Sequence, residues 1–123
     1  MKYSHLSEGK ILQELSGVIL RSLPKPECTF VNAIDEESWE YESSDVSIAI
    51  GLSFDEGGFY IAKVENYAKG RKVKLLNTIF KAISRICDKY NLPRVIYLED
   101  TSGRPGMYAH LGRKYKLSVV EWY

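Results

Sequence analysis

The sequence predicts a mixed α/β fold in which a sheet is flanked by helices. Three observations lead there. Residues 46–65 alternate apolar and small or polar residues on either side of a glycine turn, the pattern of a β-hairpin. Residues 73–90 repeat apolar positions at three-four spacing, the pattern of a helix lying on a sheet. Residues 94–123 then run strand, short helix, strand, and such crossovers require parallel pairing in part of the sheet.

The elements follow in order. In "LSEGKILQELSGVILRSLP", Ile11, Leu12, Leu15, Val18, Ile19 and Leu23 recur at helical spacing. Ser7 is placed to cap this first helix, and Pro24 and Pro26 stop it. "ECTFVNAIDEESWEYESSD" is ambiguous: a short extended piece around Thr29–Val31, then a polar loop or second strand near Trp39 and Tyr41. "VSIAIGLSF" puts Val46, Ile48, Ile50, Leu52 and Phe54 on one face of a strand. "DEGG" turns, with Gly57 and Gly58 able to take positive φ. "FYIAKVE" is the partner strand. In the long helix, Val73, Leu76, Phe80, Ile83, Cys87 and Tyr90 form one stripe and Leu75, Ile79, Ala82 and Ile86 the next. Asn91 and Pro93 end it. "RVIYLED" reads as a strand, "PGMYAHLGR" as a short helix closed by Gly112, and "YKLSVVEWY" as a final strand. The chain of 123 residues is expected to be one domain. It contains no internal repeat or low-complexity tract.

Composition excludes several classes. A 45% hydrophobic, 27% charged chain is ordinary for a globular domain. No apolar run reaches the roughly 18 residues of a membrane helix, so no membrane role is expected. "MKYSHLSEGK" lacks the apolar stretch of a signal peptide, and the expectation is an intracellular, cytoplasmic protein. Cys28 and Cys87 offer neither a disulfide framework nor zinc spacing, and Cys87 falls on an apolar helix face, where a buried thiol is expected. His5 and His110 have no partners at ligand spacing, so no metal is expected.

The net charge of +1 hides an asymmetry. Residues 27–65 carry ten acids against Lys63, whereas residues 69–116 carry twelve lysines and arginines against Asp88, Glu99 and Asp100. Either the two halves form surfaces of opposite sign, or they interleave and cancel. In "NYAKGRKVKLL", residues 66–76, Lys69, Arg71, Lys72 and Lys74 crowd the start of the long helix. Cations there oppose the helix dipole at a cost of about 0.3–1 kcal/mol. A bound anion would account for them, and so would a solvated basic face.

The same stretch carries a resemblance. A hairpin strand, a glycine-containing loop and a long helix with "LL" in its second turn (Leu75, Leu76) resemble the GNAT acyltransferase superfamily. "NLPRVIYLED" resembles the family's next strand, and "YAHLGRKYKL" its Y-x-x-L-G-F ending, with Tyr108, Leu111 and Gly112 in place. The resemblance covers roughly residues 44–123. It implies a GNAT-like sheet that binds acetyl-CoA, or another acyl-CoA, where two central strands splay. The loop opening the long helix would hold pyrophosphate on backbone N–H groups. By position, Val64, Lys69, Gly70, Arg71, Lys72 and Lys74 would be the cofactor-binding residues. Tyr108 would be the general acid and Glu65 the base, with Glu99 or Asp100 second. The acceptor would be an amine on a small molecule or a protein.

The sequence departs from the family pattern at named places. Tyr67 and Lys72 stand where the phosphate loop has Arg or Gln and Gly or Ala, so only Gly70 matches. Thr101 stands for a common Asn, and Arg113 for the Phe after Gly112. The last strand of the family is expected to be missing or supplied by a partner chain. These departures keep a second reading open: a non-catalytic GNAT-fold binding or structural protein, which resembles small phage proteins of this fold, including virion components. A terminal aromatic pair, Trp122 and Tyr123, hints at a homodimer contact. A third reading is nucleic-acid binding through the basic helix. Near-neutral charge and the lack of any recognition motif count against nucleic acid.

Overall fold

The computed structural model describes residues 7–67, 72–99 and 105–121. The described elements are α1 (Glu8–Arg21), β1 (Thr29–Ile34), β2 (Ser38–Ser43), β3 (Val46–Ser53), β4 (Gly58–Asn66), α2 (Lys72–Tyr90), β5 (Val95–Leu98), α3 (Pro105–Tyr115) and β6 (Ser118–Glu121). The strands form one six-stranded sheet in the order β1-β2-β3-β4-β5-β6. β1 to β4 pair antiparallel, and β4-β5 and β5-β6 pair parallel. The mixed α/β expectation therefore holds.

The sheet is covered on one face. α2 packs against both α1 and α3, so the three helices form a single layer. Two successive right-handed crossovers in one direction along the sheet require this. Under the layer lie Trp39, Tyr41, Ile48, Ile50, Leu52, Phe59, Ile61, Val64, Ile96 and Leu98, all buried. Facing them are Ile11, Leu12, Leu15 and Ile19 of α1, and both apolar stripes of α2 from Leu75 to Cys87. Ser7 caps α1 as expected, its Oγ accepting from Lys10 N at 3.1 Å.

The ambiguous segment 27–45 resolves into a hairpin. β1 is exposed at every residue, so it carries no alternating apolar signal. β2 supplies the alternation, with Trp39, Tyr41 and Ser43 buried and Glu40 and Glu42 exposed. The two strands are tied at the face toward the helices by Trp39 Nε1 donating to Asn32 Oδ1 at 2.9 Å. The short helix also differs from expectation. Gly112 does not close α3, which runs three residues further. Lys116, with φ of 57°, ends it. Gly112 is required for a different reason: a Cβ there would lie 2.7 Å from Leu117 O and 2.8 Å from Val119 Cγ2. α3 approaches β6 too closely for any side chain.

Arg94 joins the layers at the opposite end. Its Nε donates to Lys116 O, Nη1 to Ser84 O and Asp88 Oδ1, and Nη2 to Ser84 Oγ and Tyr115 O. Five donors thus meet five acceptors from α2 and the C-terminal end of α3, where the dipole favours a cation. Replacing Arg94 with Ala should lower stability by about 2–3 kcal/mol, read as the urea midpoint, because the α3 carbonyls lose charged donors. Lys should recover only part of this, since it lacks the fork.

Cys87 is buried, as its helix position implied, and burial pushes its thiol from 9.0 to about 11. The folded chain holds this proton more tightly than the unfolded chain. Its contribution is complete below pH 9 and is lost as pH rises through about 11. Denaturation midpoints should fall between those values for the native chain, and fall less for Cys87→Ala measured against its own neutral-pH value.

Candidate functional site at the divergence of β4 and β5

β4 has nine residues and β5 four, and they share only a short ladder. Phe59, Tyr60 and Ile61 pair with Ile96, Tyr97 and Leu98. Glu99 N donating to Ile61 O at 3.0 Å closes it. Beyond that bond, β4 continues through Asn66 along β3 with no β5 residue beside it. Among the described residues, the β4-β5 ladder therefore ends at the carboxyl end of β5 while β4 runs on. That edge is where ligands bind in parallel α/β sheets.

A bulge sits at the same point. Ala49 pairs with Lys63 and Ile50 with Ile61, leaving Ala62 extra. Strict alternation would put Phe59, Ile61, Lys63 and Glu65 on one face. The bulge reverses the parity, so Val64 is buried under the helices and Lys63 and Glu65 turn to the open face. Glu65 lies opposite Ser47 and is half-buried.

Both crossover helices start at this edge, because each follows the carboxyl end of a parallel strand. α2 begins at Lys72 with no acid in its first turn, and α3 likewise has none. Their N-termini are positive poles. Lys74 is exposed in the first turn of α2. Lys69, Gly70 and Arg71 lie outside the described residues, as do Asp100 and Thr101.

Tyr108 is in the first turn of α3 and is 2% exposed, its hydroxyl oxygen buried. Its ring packs on Phe80 with centroids 6.3 Å apart. It also lines a cleft of about 320 Å³ between α3 and β6, with Arg113, Leu117 and Val119. Tyr108 thus belongs to the helix layer and Glu65 to the opposite face of the sheet, and the structure does not bring the two together. Glu99 is exposed just past β5.

Charge separates by layer. The acids of residues 27–65 fall on β2, β4 and the segments that precede and join β1 to β4, and Lys74, Lys81 and Arg85 are exposed along α2. The ion pairs among the described residues, Lys89–Glu14 at 2.9 Å and Arg94–Asp88, do not join the two segments. Tyr90 and Lys89 both donate to Glu14, and these bonds, the Tyr90 one foremost, hold its carboxyl below the usual value. No group of three metal-ligating side chains occurs among the described residues. No described helix is long and apolar enough to cross a membrane.

No family model, curated protein or solved structure matches this chain. The site therefore rests on its own geometry.

Deleting Ala62 removes the extra residue, and Lys63, Val64 and Glu65 then follow Ile61 in regular alternation opposite Ala49, Ile48 and Ser47. The deletion should therefore keep Val64 inward and Glu65 outward and be tolerated far better than one alanine inserted between Lys63 and Val64, which turns Glu65 inward and Val64 outward at a cost of about 3 kcal/mol or more. Thermal melts of the two variants test this, and equal melting temperatures would remove the register as the cause of Glu65's direction.

Proposed function

We propose that the chain is a divergent GNAT-like, acyl-CoA-dependent N-acyltransferase, acting on an amine at the β4-β5 divergence. The observation that supports the reading is the end of the β4-β5 ladder at Ile61 and Leu98 while β4 runs on through Asn66, at the sheet edge where α2 starts. An extended ligand arm could lie along the part of β4 that β5 leaves. Its phosphates would meet the α2 start, where N–H groups and Lys74 are cationic. Bound there, an acyl-CoA would supply the activated acyl group.

The chain's own residues then have separable roles. Val64 anchors the bulged strand in the core, which aims Glu65 at the open side. Glu65 would take a proton from the acceptor ammonium, leaving a nucleophilic amine. Tyr108, in the first turn of α3, would give its proton to the departing thiolate. Its buried hydroxyl requires the groups around it to part first. Lys69, Gly70, Arg71 and Lys72 remain the proposed continuation of the phosphate site.

A second reading has its own observation. β1 is an edge strand with no charged residue, and Phe30 is 64% exposed, Val31 and Ile34 37% each. Unprotected edges of this kind favour association. A non-catalytic binding or structural role on the same fold is therefore the alternative.

Calorimetry with acetyl-CoA and with free CoA separates the two. Binding of both in the micromolar to millimolar range is expected, and no heat at millimolar ligand would overturn the enzyme reading. In a chain that binds, Tyr108→Phe should slow transfer about 100-fold while leaving CoA affinity within a factor of two. Unchanged turnover would remove Tyr108 from the mechanism.

A further inference from the structure

Among the described residues, one edge of the sheet is left open along its whole length. β1 pairs with β2 on one side only, and all six of its residues are exposed. Its sequence, TFVNAI, holds no charged residue and no proline, although edge strands are ordinarily blunted by lysine, proline or a covering segment. Phe30, Val31 and Ile34 are its exposed apolar residues. The opposite edge is different: β6 is four residues long and carries Glu121.

The phase of the β1-β2 ladder shows which backbone groups face outward. Asp35 N donates to Ser38 O at 2.8 Å. Antiparallel pairs alternate between bonded and non-bonded. Val31 and Ala33 therefore exchange bonds with Glu42 and Glu40, and the N–H and C=O of Asn32 and Ile34 point away from β2. Such a row of donors and acceptors is matched by another extended chain.

The strand is complementary to itself. Two copies related by a two-fold axis pair antiparallel, and their outward groups meet only when the axis passes at a residue rather than between two. Centred on Asn32, the pairing sets Phe30 opposite Ile34 and Val31 opposite Ala33, apolar against apolar. Centred on Ala33, it would set Phe30 and Val31 opposite Glu36 and Asp35. Centred on Val31, it would set Ile34 opposite Cys28, whose carbonyl is already turned inward to Ser44 N. Charge favours the same register. Around Asn32 the two Asp35 carboxylates lie about 20 Å apart, beyond the screening length of about 8–10 Å. A parallel pairing would instead bring the two Asp35–Glu37 turns side by side.

We propose that the chain forms a two-fold homodimer through β1, centred on Asn32, which joins the two six-stranded sheets into one with both helix layers on the same face. Phe30 of each copy packs on Ile34 of the other. The dimer rests on the association reading of β1 and names its partner. Calorimetry with CoA decides between the catalytic and non-catalytic readings apart from it, so each fails separately.

The test is sedimentation velocity of the intact chain from about 5 to 500 μM, with a Kd in the tens of micromolar, roughly, for so small an interface. Ile34→Pro removes an outward N–H and no bond to β2. It should weaken the dimer about tenfold or more, while the melting temperature of the dilute monomer holds within about 3 °C. Ile34→Lys keeps the backbone donor but sets a charge against Phe30 of the other copy, and should weaken the dimer about fivefold or more. Val120→Lys, on β6, should leave it unchanged. A nitroxide on the exposed Cys28 should report a distance of about 25–30 Å within the dimer. A chain that stays monomeric throughout this range would overturn the proposal. So would a dimer indifferent to both Ile34 variants, one weakened by Val120→Lys, or Cys28 labels outside that distance.

Discussion

One-sided burial is the constraint on which the rest of this structure depends. Three helices cover one face of a six-stranded sheet, and β2 to β5 divide their residues accordingly. Large apolar side chains go to the helix face because burying one there contributes about 1.5–3 kcal/mol. What remains for the other face is set by that division. On β3 it is a line of Ser, Ala, Gly and Ser, and on β2 and β4 it is carboxylates and Lys63. The bulge at Ala62 belongs to the same logic. It keeps Val64 under the helices at the point where β5 stops covering β4's edge, and it thereby frees Glu65.

The two halves of the sheet serve different ends. The antiparallel half, β1 to β4, carries the acids of residues 27–65, and on its open face β3 presents small residues. The parallel half, β4 to β6, sends α2 and α3 back across the helix face with their N-termini at one edge. β4 belongs to both and is where pairing changes from antiparallel to parallel. The basic start of α2 stands beside that change. Its lysines oppose the helix dipole, and an anion at the divergence would offset both. Arg94 holds the C-terminal ends of α2 and α3 together, at the end of the helix layer away from those N-termini.

Much of this was legible in the sequence where burial is one-sided and regular. β3 declared itself through Val46, Ile48, Ile50 and Leu52, and α2 through its two apolar stripes. β1 did not, because all six of its residues are exposed and no core face patterns them. Gly112 was misread because glycine as a helix stop is a local rule, while its actual cause is the contact with Val119, far from any local signal. Glu65 was singled out for its place at a strand end, but its direction depends on an extra residue that alternation cannot reveal. Ser47 and Lys63 read only as the small or polar positions of alternating strands, and Glu40 and Glu42 fall in the segment that the pattern leaves between loop and strand.

The central claim is that the divergence of β4 and β5 is a ligand site for acyl-CoA. Amide hydrogen exchange with and without acetyl-CoA reads it most directly. Protection should appear at Lys63–Asn66 and in the first turn of α2, while Phe59–Ile61, already held by β5, should change little. Protection confined to β1, or no protection anywhere at saturating ligand, would contradict the account.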